Sequence, residues 1–336
     1  MPETLCPYGV LGLDIGGANL KAAHTQGMAR SHPFALWRFP DRLADELGRL
    51  IAAFPQAERV AVTMTGELCD CFATKREGVQ HILEAVATLF DSAALDVWTS
   101  HGRFLTPSEA IDEWQATASA NWLALATFAG RFAPSGWSLL VDIGTTTTDL
   151  IVLRDGRPQP IGRTDRSRLE SGELLYRGWR RTPLMALDAV GAAELFATMH
   201  DVCLVLGLVE EAPEDRNTAD GQPATRPHAL RRLARMRCAE VHEANEAEWQ
   251  QLAGKLLGRL RGEIDGCLMR LLDAHAHPVE TCLLSGSGVR LLSPGWPGVP
   301  SRRLEDTLGP AVSEAACAYA VAVLAAESAA CKRKKE

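Results

Sequence analysis

Two segments of the chain share one layout, and this repeat constrains the fold more than any other feature of the sequence. Residues 11–21 and residues 139–149 each read as an apolar strand, then Asp, Ile and Gly, then small, amide or hydroxyl residues. A glycine directly after a strand permits a tight turn, and consecutive backbone N–H groups in such a turn form a nest for phosphate oxygens. Two such turns that face each other would clamp a polyphosphate across a cleft.

Each repeat also carries an aspartate two positions before its glycine, Asp14 and Asp142. This aspartate stands at the end of the predicted strand, where a carboxylate can hold Mg²⁺ directly or through water, or can position a nucleophile. A single Asp-x-Gly turn is also ordinary turn chemistry. Because two unrelated turns would not be expected to share Asp, Ile and Gly, the duplication favours the functional interpretation.

The remaining pattern indicates an α/β fold. Apolar runs predict strands at 10–15, 60–64, 139–143 followed by 150–153, and 282–284, and helical spacing occurs at 41–54, 78–90 and 243–275. A capping box at Thr106 and Glu109 predicts one helix from 106 to about 132, and an alanine-rich helix is predicted to begin near Pro310. The Pro134-Ser135-Gly136 breaker lies between helix and strand, so we predict domains at 1–134 and 135–336.

Composition and charge exclude several classes of protein. With 46% hydrophobic and 23% charged residues, the chain is globular rather than disordered. Its formal net charge of −7 argues against a broad electrostatic grip on nucleic acid or on an anionic membrane. The nine cysteines are not spaced as C-x-x-C pairs, which is typical of reduced thiols, and the late apolar stretch is too short to span a bilayer. We therefore expect a cytoplasmic protein without nucleic-acid or membrane partners.

The two turns resemble the first and second phosphate loops of the actin, hexokinase and Hsp70 superfamily. Residues 283–289 (LLSGSGV) are similar to the adenosine-side loop of that superfamily, and all three loops occur in the expected order. The resemblance implies two related actin-like (ribonuclease H-like) α/β domains with a ligand cleft between them. It places a helical insertion at about 170–275 and the third loop at about 282–290 in the second domain.

Further motifs resemble the hydantoinase A and oxoprolinase-like group, beginning with residues 62–72 (VTMTGELCDCF). Residues 162–165 (GRTD), 171–174 (SGEL), 180–183 (RRTP) and 220–226 (DGQPATR) look like one branch within it. That branch contains proteins linked to tetrahydromethanopterin-dependent one-carbon transfer and an archaeal synthase of the aminomethylfuran-phenol ether in methanofuran biosynthesis. The resemblance implies an alkyl transferase with two small-molecule partners, an aminomethylfuran methyl diphosphate and the phenol of a tyramine or tyrosine derivative, and diphosphate as leaving group.

On this hypothesis the two turns hold the diphosphate, Mg²⁺ is the expected cofactor at Asp14 and Asp142, and ATP can bind but is not required. The predicted phosphate-binding residues are Gly16, Gly17, Asn19, Lys21, Gly144, Thr145, Thr146 and Thr147. Lys21 is a candidate counter-charge, and the exposed end of a hairpin is an equally good interpretation of it. Many superfamily kinases carry Thr or Ser at the position of Asn19, so the amide slightly favours a reaction other than phosphoryl transfer.

A phenol is largely protonated at neutral pH, so a general base or an electrostatic partner would help it attack. Glu67 and Asp70 are the candidates, together with Asp142 as a catalytic carboxylate, although a helix N-terminal acid and a cap explain Glu67 and Asp70 equally simply. The predicted nucleotide-binding or substrate-binding residues are Ser285, Gly286, Ser287, Gly288 and Arg226. The arginines at 226, 231, 232 and 235 also fit a solvated helix face.

Two other functions stay open on the sequence alone. One is an ATP-dependent kinase or an amide hydrolase of the hydantoinase or oxoprolinase kind. The other is a nucleotide-sensing assembly protein, in which domain closure is the output. The fold supports all three, and the sequence does not settle the acceptor or whether the chain forms a homo-oligomer.

Overall fold

The computed structural model describes residues 9–188, 190–275, 277–289 and 299–333. Residue 290, the last of the predicted third loop, lies outside these ranges, as do the outermost residues of both predicted domains. The first half of the chain contains strands β1 (Val10–Ile15), β2 (Asn19–His24), β3 (Ala29–Pro33), β4 (Arg59–Met64), β5 (Leu95–Trp98) and β6 (Phe104–Leu105). Its helices are α1 (Leu43–Ile51), α2 (Lys75–Ala87), α3 (Pro107–Asp112), α4 (Trp114–Thr117) and α5 (Asn121–Ala129).

The second half begins with strands β7 (Trp137–Ile143), β8 (Thr148–Arg154) and β9 (Arg157–Pro158), followed by α6 (Asp165–Ser171) and β10 (Leu174–Leu175). Three helices come next, α7 (Met199–Val205), α8 (Arg226–Arg235) and α9 (Glu246–His275). The chain then returns to the sheet with β11 (Thr281–Ser285) and β12 (Ser301–Arg303). It continues through α10 (Glu305–Leu308), α11 (Pro310–Glu314) and α12 (Ala316–Arg333).

The strands form two mixed sheets with the same central arrangement. The first sheet has the order β3-β2-β1-β4-β5-β6, and the second has the order β10-β8-β7-β11-β12 with β9 paired to β8. In each sheet an antiparallel hairpin, β1–β2 or β7–β8, is joined by a parallel strand, β4 or β11. All six residues of β1 are buried, as expected for a strand covered on both faces.

Among the described residues the apolar core has three large parts and a small fourth one, in which Ala23 packs with Ala315 and Ala318. The first sheet packs on α1 and α2, and the second sheet packs on α7, α8 and α9. Between the two sheets lie α5 and α12, whose buried alanines contact strands of both halves. A Cβ at Gly12 of β1 would lie 1.9 Å from the carbonyl oxygen of Ala318, so a glycine and an alanine-rich helix are what allow α12 to approach the first sheet so closely.

The five predicted strands are confirmed, whereas the single helix predicted from 106 to about 132 is wrong. The capping box of Thr106 and Glu109 does begin a helix, but the segment is divided into α3, α4 and α5. The Thr117 hydroxyl donates to the carbonyl of Ala110, and Ser119 takes a left-handed backbone conformation with φ of 48°. These local bonds compete with helix continuation and turn the chain so that α5 starts at the cleft.

The proposed domain boundary near residue 135 falls just before β7, the first strand of the second sheet. The last helix, α12, packs on strands of the first sheet although its sequence follows the second sheet. Within the ranges that the structure describes, no helix is long and apolar enough to cross a membrane.

Candidate functional site

A cavity of about 530 Å³ lies between the two halves, and both repeated turns line it. From the sequence-predicted residues the structure brings together Asp14, Gly16, Gly17, Asn19, Lys21, Asp70, Asp142, Gly144, Thr145, Thr146 and Thr147. The first residues of the central helices α5 and α12 also reach the cavity, through Asn121, Trp122 and Cys317. Because a helix N-terminus carries partial positive charge, this end of both helices favours a bound anion.

The two turns close in the same way. The backbone N–H of Gly16 donates to the carbonyl of Asn19 at 3.0 Å, and that of Gly144 donates to the carbonyl of Thr147 at 2.8 Å. Within the described parts of the chain, the N–H groups at the next two positions of each turn have no acceptor. Four donors are therefore free for a ligand in the cavity, as the sequence repeat predicted.

One carbonyl group of each turn is fixed by a hydrogen bond from a neighbouring segment. In the first turn the carbonyl of Gly17 accepts from the N–H of Leu36 at 3.0 Å. In the second turn the carbonyl of Thr145 accepts from the N–H of Arg181 at 2.8 Å. A Cβ at Gly178 would lie 2.4 Å from the Thr145 carbonyl carbon, so this loop packs directly behind the second turn. The turns are thus preorganised, because their carbonyls are fixed by hydrogen bonds while two N–H groups of each turn have no acceptor in the described chain.

The aspartates of the two repeats lie in the cavity with strongly altered acidity. Burial is the main cause that raises the pKa of Asp142 to about 6, with a further contribution from the charge of Asp149, while Lys21 counters the shift. Burial also raises the pKa of Asp14, and Lys21 again opposes it. One carboxylate oxygen of Asp14, Oδ1, is buried without a hydrogen-bond partner in the described chain. An unpaired buried oxygen of this kind fits a cation or a donor brought by a ligand.

The pair of Asp14 and Asp142 fits magnesium bound together with phosphate. Within the described residues, no three His, Cys, Asp or Glu side chains are grouped as a complete metal site. Mg²⁺ does not need such a group, because it is usually held by one or two carboxylates, substrate phosphates and several waters.

The position of Asp149 corresponds to that of Lys21 in the repeat, since Asp14 pairs with Lys21 and Asp142 pairs with Asp149 across the two hairpins. Asp149 receives a hydrogen bond of 2.7 Å from Arg168, whose side chain is almost fully buried. The guanidinium carbon of Arg168 lies 4.0 Å from the centre of the Trp122 ring. Arg168 is therefore neutralised and held by packing, whereas Lys21 forms no ion pair with any described residue.

Of the two predicted bases, Asp70 lines the cavity and Glu67 lies behind its wall. Glu67 is buried and its Oε1 accepts a hydrogen bond of 2.7 Å from the hydroxyl of Ser119, which does line the cavity. Burial raises the pKa of Glu67, and the Ser119 bond partly offsets this. Ser119 was missed from the sequence because its contact spans more than fifty positions and its left-handed backbone has no glycine to mark it.

Arg181 is a second candidate site residue that the sequence did not assign. It lines the cavity with its guanidinium carbon 4.7 Å from the centre of the Trp37 ring, which belongs to the other half of the chain. Burial lowers the pKa of Arg181, and no acidic side chain among the described residues pairs with it. Its place in the 180–183 motif was the only sequence signal, and that motif indicated a branch of the family rather than a role.

The predicted third loop lies behind Asp142 and does not line the cavity. Gly286 has a φ of 89°, and a Cβ there would lie 2.7 Å from Oδ1 of Asp142 and 2.3 Å from the carbonyl oxygen of Ile143. The Ser287 hydroxyl accepts from the indole N–H of Trp179 at 2.8 Å. The loop residues Ser285, Gly286, Ser287 and Gly288 therefore support the second turn from behind.

The structure does not bring Arg226 to the cavity, in contrast to its predicted role as a substrate ligand. Arg226 donates to Glu246 at 2.5 Å, because it starts α8 beside the beginning of α9. Arg232 is neither a ligand nor part of a solvated face, since it is fully buried and bonded to Asp201 and Asp220. These arginines hold the helical layer of the second half together.

Comparisons with known proteins agree with this arrangement. A protein of Methanocaldococcus jannaschii, (4-{4-[2-(gamma-L-glutamylamino)ethyl]phenoxymethyl}furan-2-yl)methanamine synthase, is 31% identical over 331 residues, which cover 94% of this chain and 97% of that protein. The nucleotide-free structure of an ATP-dependent acetone carboxylase is similar in fold, with a TM-score of 0.51 and 11% identity over 93% of this chain and 70% of that one. An archaeal actin homologue aligns over 96% of this chain and 99% of its own, with 15% identity and a TM-score of 0.41.

The predicted α/β fold, with two related halves and a cleft between them, is confirmed by the two mixed sheets and by the likeness to the acetone carboxylase structure. Residues 58–292 match the sequence profile of the hydantoinase/oxoprolinase family. That match covers more than half of the chain, and the relative covers nearly all of it. The chain is a member of the hydantoinase/oxoprolinase family.

Proposed function

We propose that this chain is the aryl ether synthase of a methanofuran-type or methylofuran-type cofactor pathway, which supports tetrahydromethanopterin-linked one-carbon transfer. It joins the furanylmethyl group of an aminomethylfuran methyl diphosphate to the phenol oxygen of a tyramine or tyrosine derivative and releases diphosphate. The observation that carries this proposal is the relative that aligns over 97% of its length and is named as a synthase of a phenoxymethylfuran. The enzyme is thus a transferase of an alkyl group.

The cavity offers the chemistry that loss of diphosphate requires. As the carbon–oxygen bond breaks, its electron pair moves to the diphosphate, and the growing charge is stabilised by donors that are already in place. The free N–H groups of the two turns, together with Lys21 and Arg181, are such donors. Mg²⁺ bound with Asp14 and Asp142 would neutralise part of the same charge.

The phenol oxygen forms the new bond to the furanylmethyl carbon and gives up its proton. We assign this proton to Asp70, because its carboxylate lines the cavity directly. Glu67 acts as a positioning residue, since it reaches the cavity only through the hydroxyl of Ser119. No step of this reaction consumes ATP.

The test is a single-enzyme assay. Purified protein, Mg²⁺, the furan diphosphate and a phenolic acceptor are combined without ATP, and ether and diphosphate are quantified by mass spectrometry and a coupled assay. We expect both products in equal amounts. Absence of ether would contradict the proposal, and loss of ATP that depends on a small substrate would instead indicate a kinase or an amide hydrolase.

A further inference from the structure

A second cavity of about 480 Å³ adjoins the first. Leu68, Asp165 and Tyr176 line both cavities, so the two are neighbours. We propose that this second cavity binds the acceptor of the reaction, a phenol whose far end carries a carboxylate next to an amino group. This inference rests on the proposed function, because it assigns the second substrate of the same site.

The first argument is the apolar surface. Leu68 comes from the first half of the chain, and Leu169 and Tyr176 come from the second half, yet all three surround this cavity. Their exposed fractions are 51%, 47% and 43%, which is large for side chains of this size. Single exposed apolar residues need no explanation, but a cluster that opens into a catalytic cavity marks a binding surface. An aromatic ring that enters between them would bury all three.

The second argument is the charge of the residues that line the second cavity. Two cations, Lys75 and Arg166, and two anions, Asp165 and Glu170, line the same cavity. Arg166 already pairs with Glu170 at 3.1 Å, whereas Lys75 forms no ion pair in the described part of the chain. Lys75 and Asp165 are thus left to bind one negative and one positive group. An amino-acid headgroup supplies both, and a simple amine supplies only the positive one.

The third argument is geometry relative to the turns. The proposed diphosphate donor occupies the first cavity, which Asp70 also lines, and Leu68, two positions before Asp70, lines both cavities. A phenol whose charged end binds in the second cavity would present its hydroxyl toward the first cavity. The hydroxyl then meets Asp70 in the cavity that holds the donor.

The experiment measures steady-state kinetics of ether formation with tyramine, tyrosine and gamma-glutamyltyramine as acceptors. Leu169→Glu places a charge in the apolar cluster, and we expect the KM of every acceptor to rise at least tenfold while the KM of the diphosphate donor stays within twofold. The matched control is Leu195→Glu, because Leu195 is 46% exposed and lines neither cavity. Leu195→Glu should leave all constants unchanged. Equal effects of the two variants on the acceptor KM would overturn the proposal.

Lys75→Ala tests the charged lining of the second cavity separately. We expect the KM of the carboxylate-bearing acceptors to rise about tenfold, the energetic equivalent of about 1.4 kcal/mol, with little change for tyramine and recovery in Lys75→Arg. Equal losses for tyramine would contradict the assignment of Lys75.

If the unaltered protein forms no ether with any acceptor, the proposed function fails and the subsite is tested by itself. Calorimetric titration of gamma-glutamyltyramine would then still show binding that Leu169→Glu removes and Leu195→Glu retains. Titration without binding, or with equal binding to both variants, would reject the subsite as well.

Discussion

The β1–β2 hairpin and the β7–β8 hairpin close their turns with the same hydrogen bond, yet they bring opposite charges to the cavity. Where the first hairpin has Lys21, the second has Asp149, each directly across from the aspartate of its own repeat. Lys21 lowers the pKa of both Asp14 and Asp142, while Asp149 raises that of Asp142. The sequence repeat therefore accounts for the shared backbone of the two turns, whereas the charged residue at the matching position differs between the hairpins.

The two hairpins also differ in whether their charged residue is already paired within the protein. The charge of Asp149 is paired with Arg168, which stacks on Trp122, and all three side chains line the cavity. Lys21 has no such partner in the described chain and stays free for a ligand. We therefore expect the first hairpin to supply a cation to the diphosphate of the proposed reaction, whereas the second hairpin carries an ion pair within the protein.

The largest expected effect comes from removing the carboxylate charge of either repeat. Asp14→Asn and Asp142→Asn should each reduce kcat by about a thousandfold or more, because each weakens the hold on the Mg²⁺ that would neutralise the leaving diphosphate. Melting temperature should not fall in either variant, since an amide is easier to bury than a carboxylate. Kinetics and thermal melts on the purified variants check this. Unfolding of Asp142→Asn would mark Asp142 as a structural residue instead.

The two turns and their strands could be predicted from the sequence, because an apolar strand followed by Asp, Ile and Gly is a short-range feature that does not depend on distant contacts. Both turns and five strands were correct on that basis. Ser119, Trp37 and Arg181 were not predictable, since each reaches the cavity through contacts between distant segments. Arg226 was predicted as a ligand but does not line the cavity, because at the start of α8 it donates to Glu246.

The next largest effect separates the two cations. Lys21→Met should reduce kcat/KM for the diphosphate donor by about a hundredfold, roughly 3 kcal/mol, with little change in melting temperature. Arg168→Met should do the reverse, because it leaves the buried Asp149 unpaired and costs about 3 kcal/mol of folding free energy. Urea unfolding together with donor kinetics would distinguish them. Identical profiles for the two variants would contradict the division between a ligand cation and a structural cation.

The two turns differ in how much space surrounds their glycines, and we expect smaller effects from alanine substitutions at these positions. A Cβ at Gly17 would lie 2.8 Å from Sγ of Cys69, whereas a Cβ at Gly144 would lie 3.4 Å from its nearest neighbour, the carbonyl oxygen of Thr147. We expect Gly17→Ala to lower kcat/KM about tenfold and Gly144→Ala about threefold. Adding Cys69→Ala to Gly17→Ala should restore most of the loss, because the obstructing sulfur is gone. Lack of rescue in the double variant would show that glycine is needed there for another reason.

Stability should also depend on pH through Asp142. The folded pKa of Asp142, about 6, is above its ordinary value near 3.8, so between these values the folded state holds a proton that the unfolded state has lost. Asp142 therefore destabilises the ligand-free protein progressively as pH rises from about 4 to about 6. Asp142→Asn cannot lose this proton, so it should match the unaltered protein near pH 4 and be more stable by about 1 to 3 kcal/mol at pH 7.5. Urea unfolding at both pH values measures the difference. The gap should narrow when diphosphate and Mg²⁺ are added, because a cation beside Asp142 favours the ionised carboxylate that burial alone disfavours.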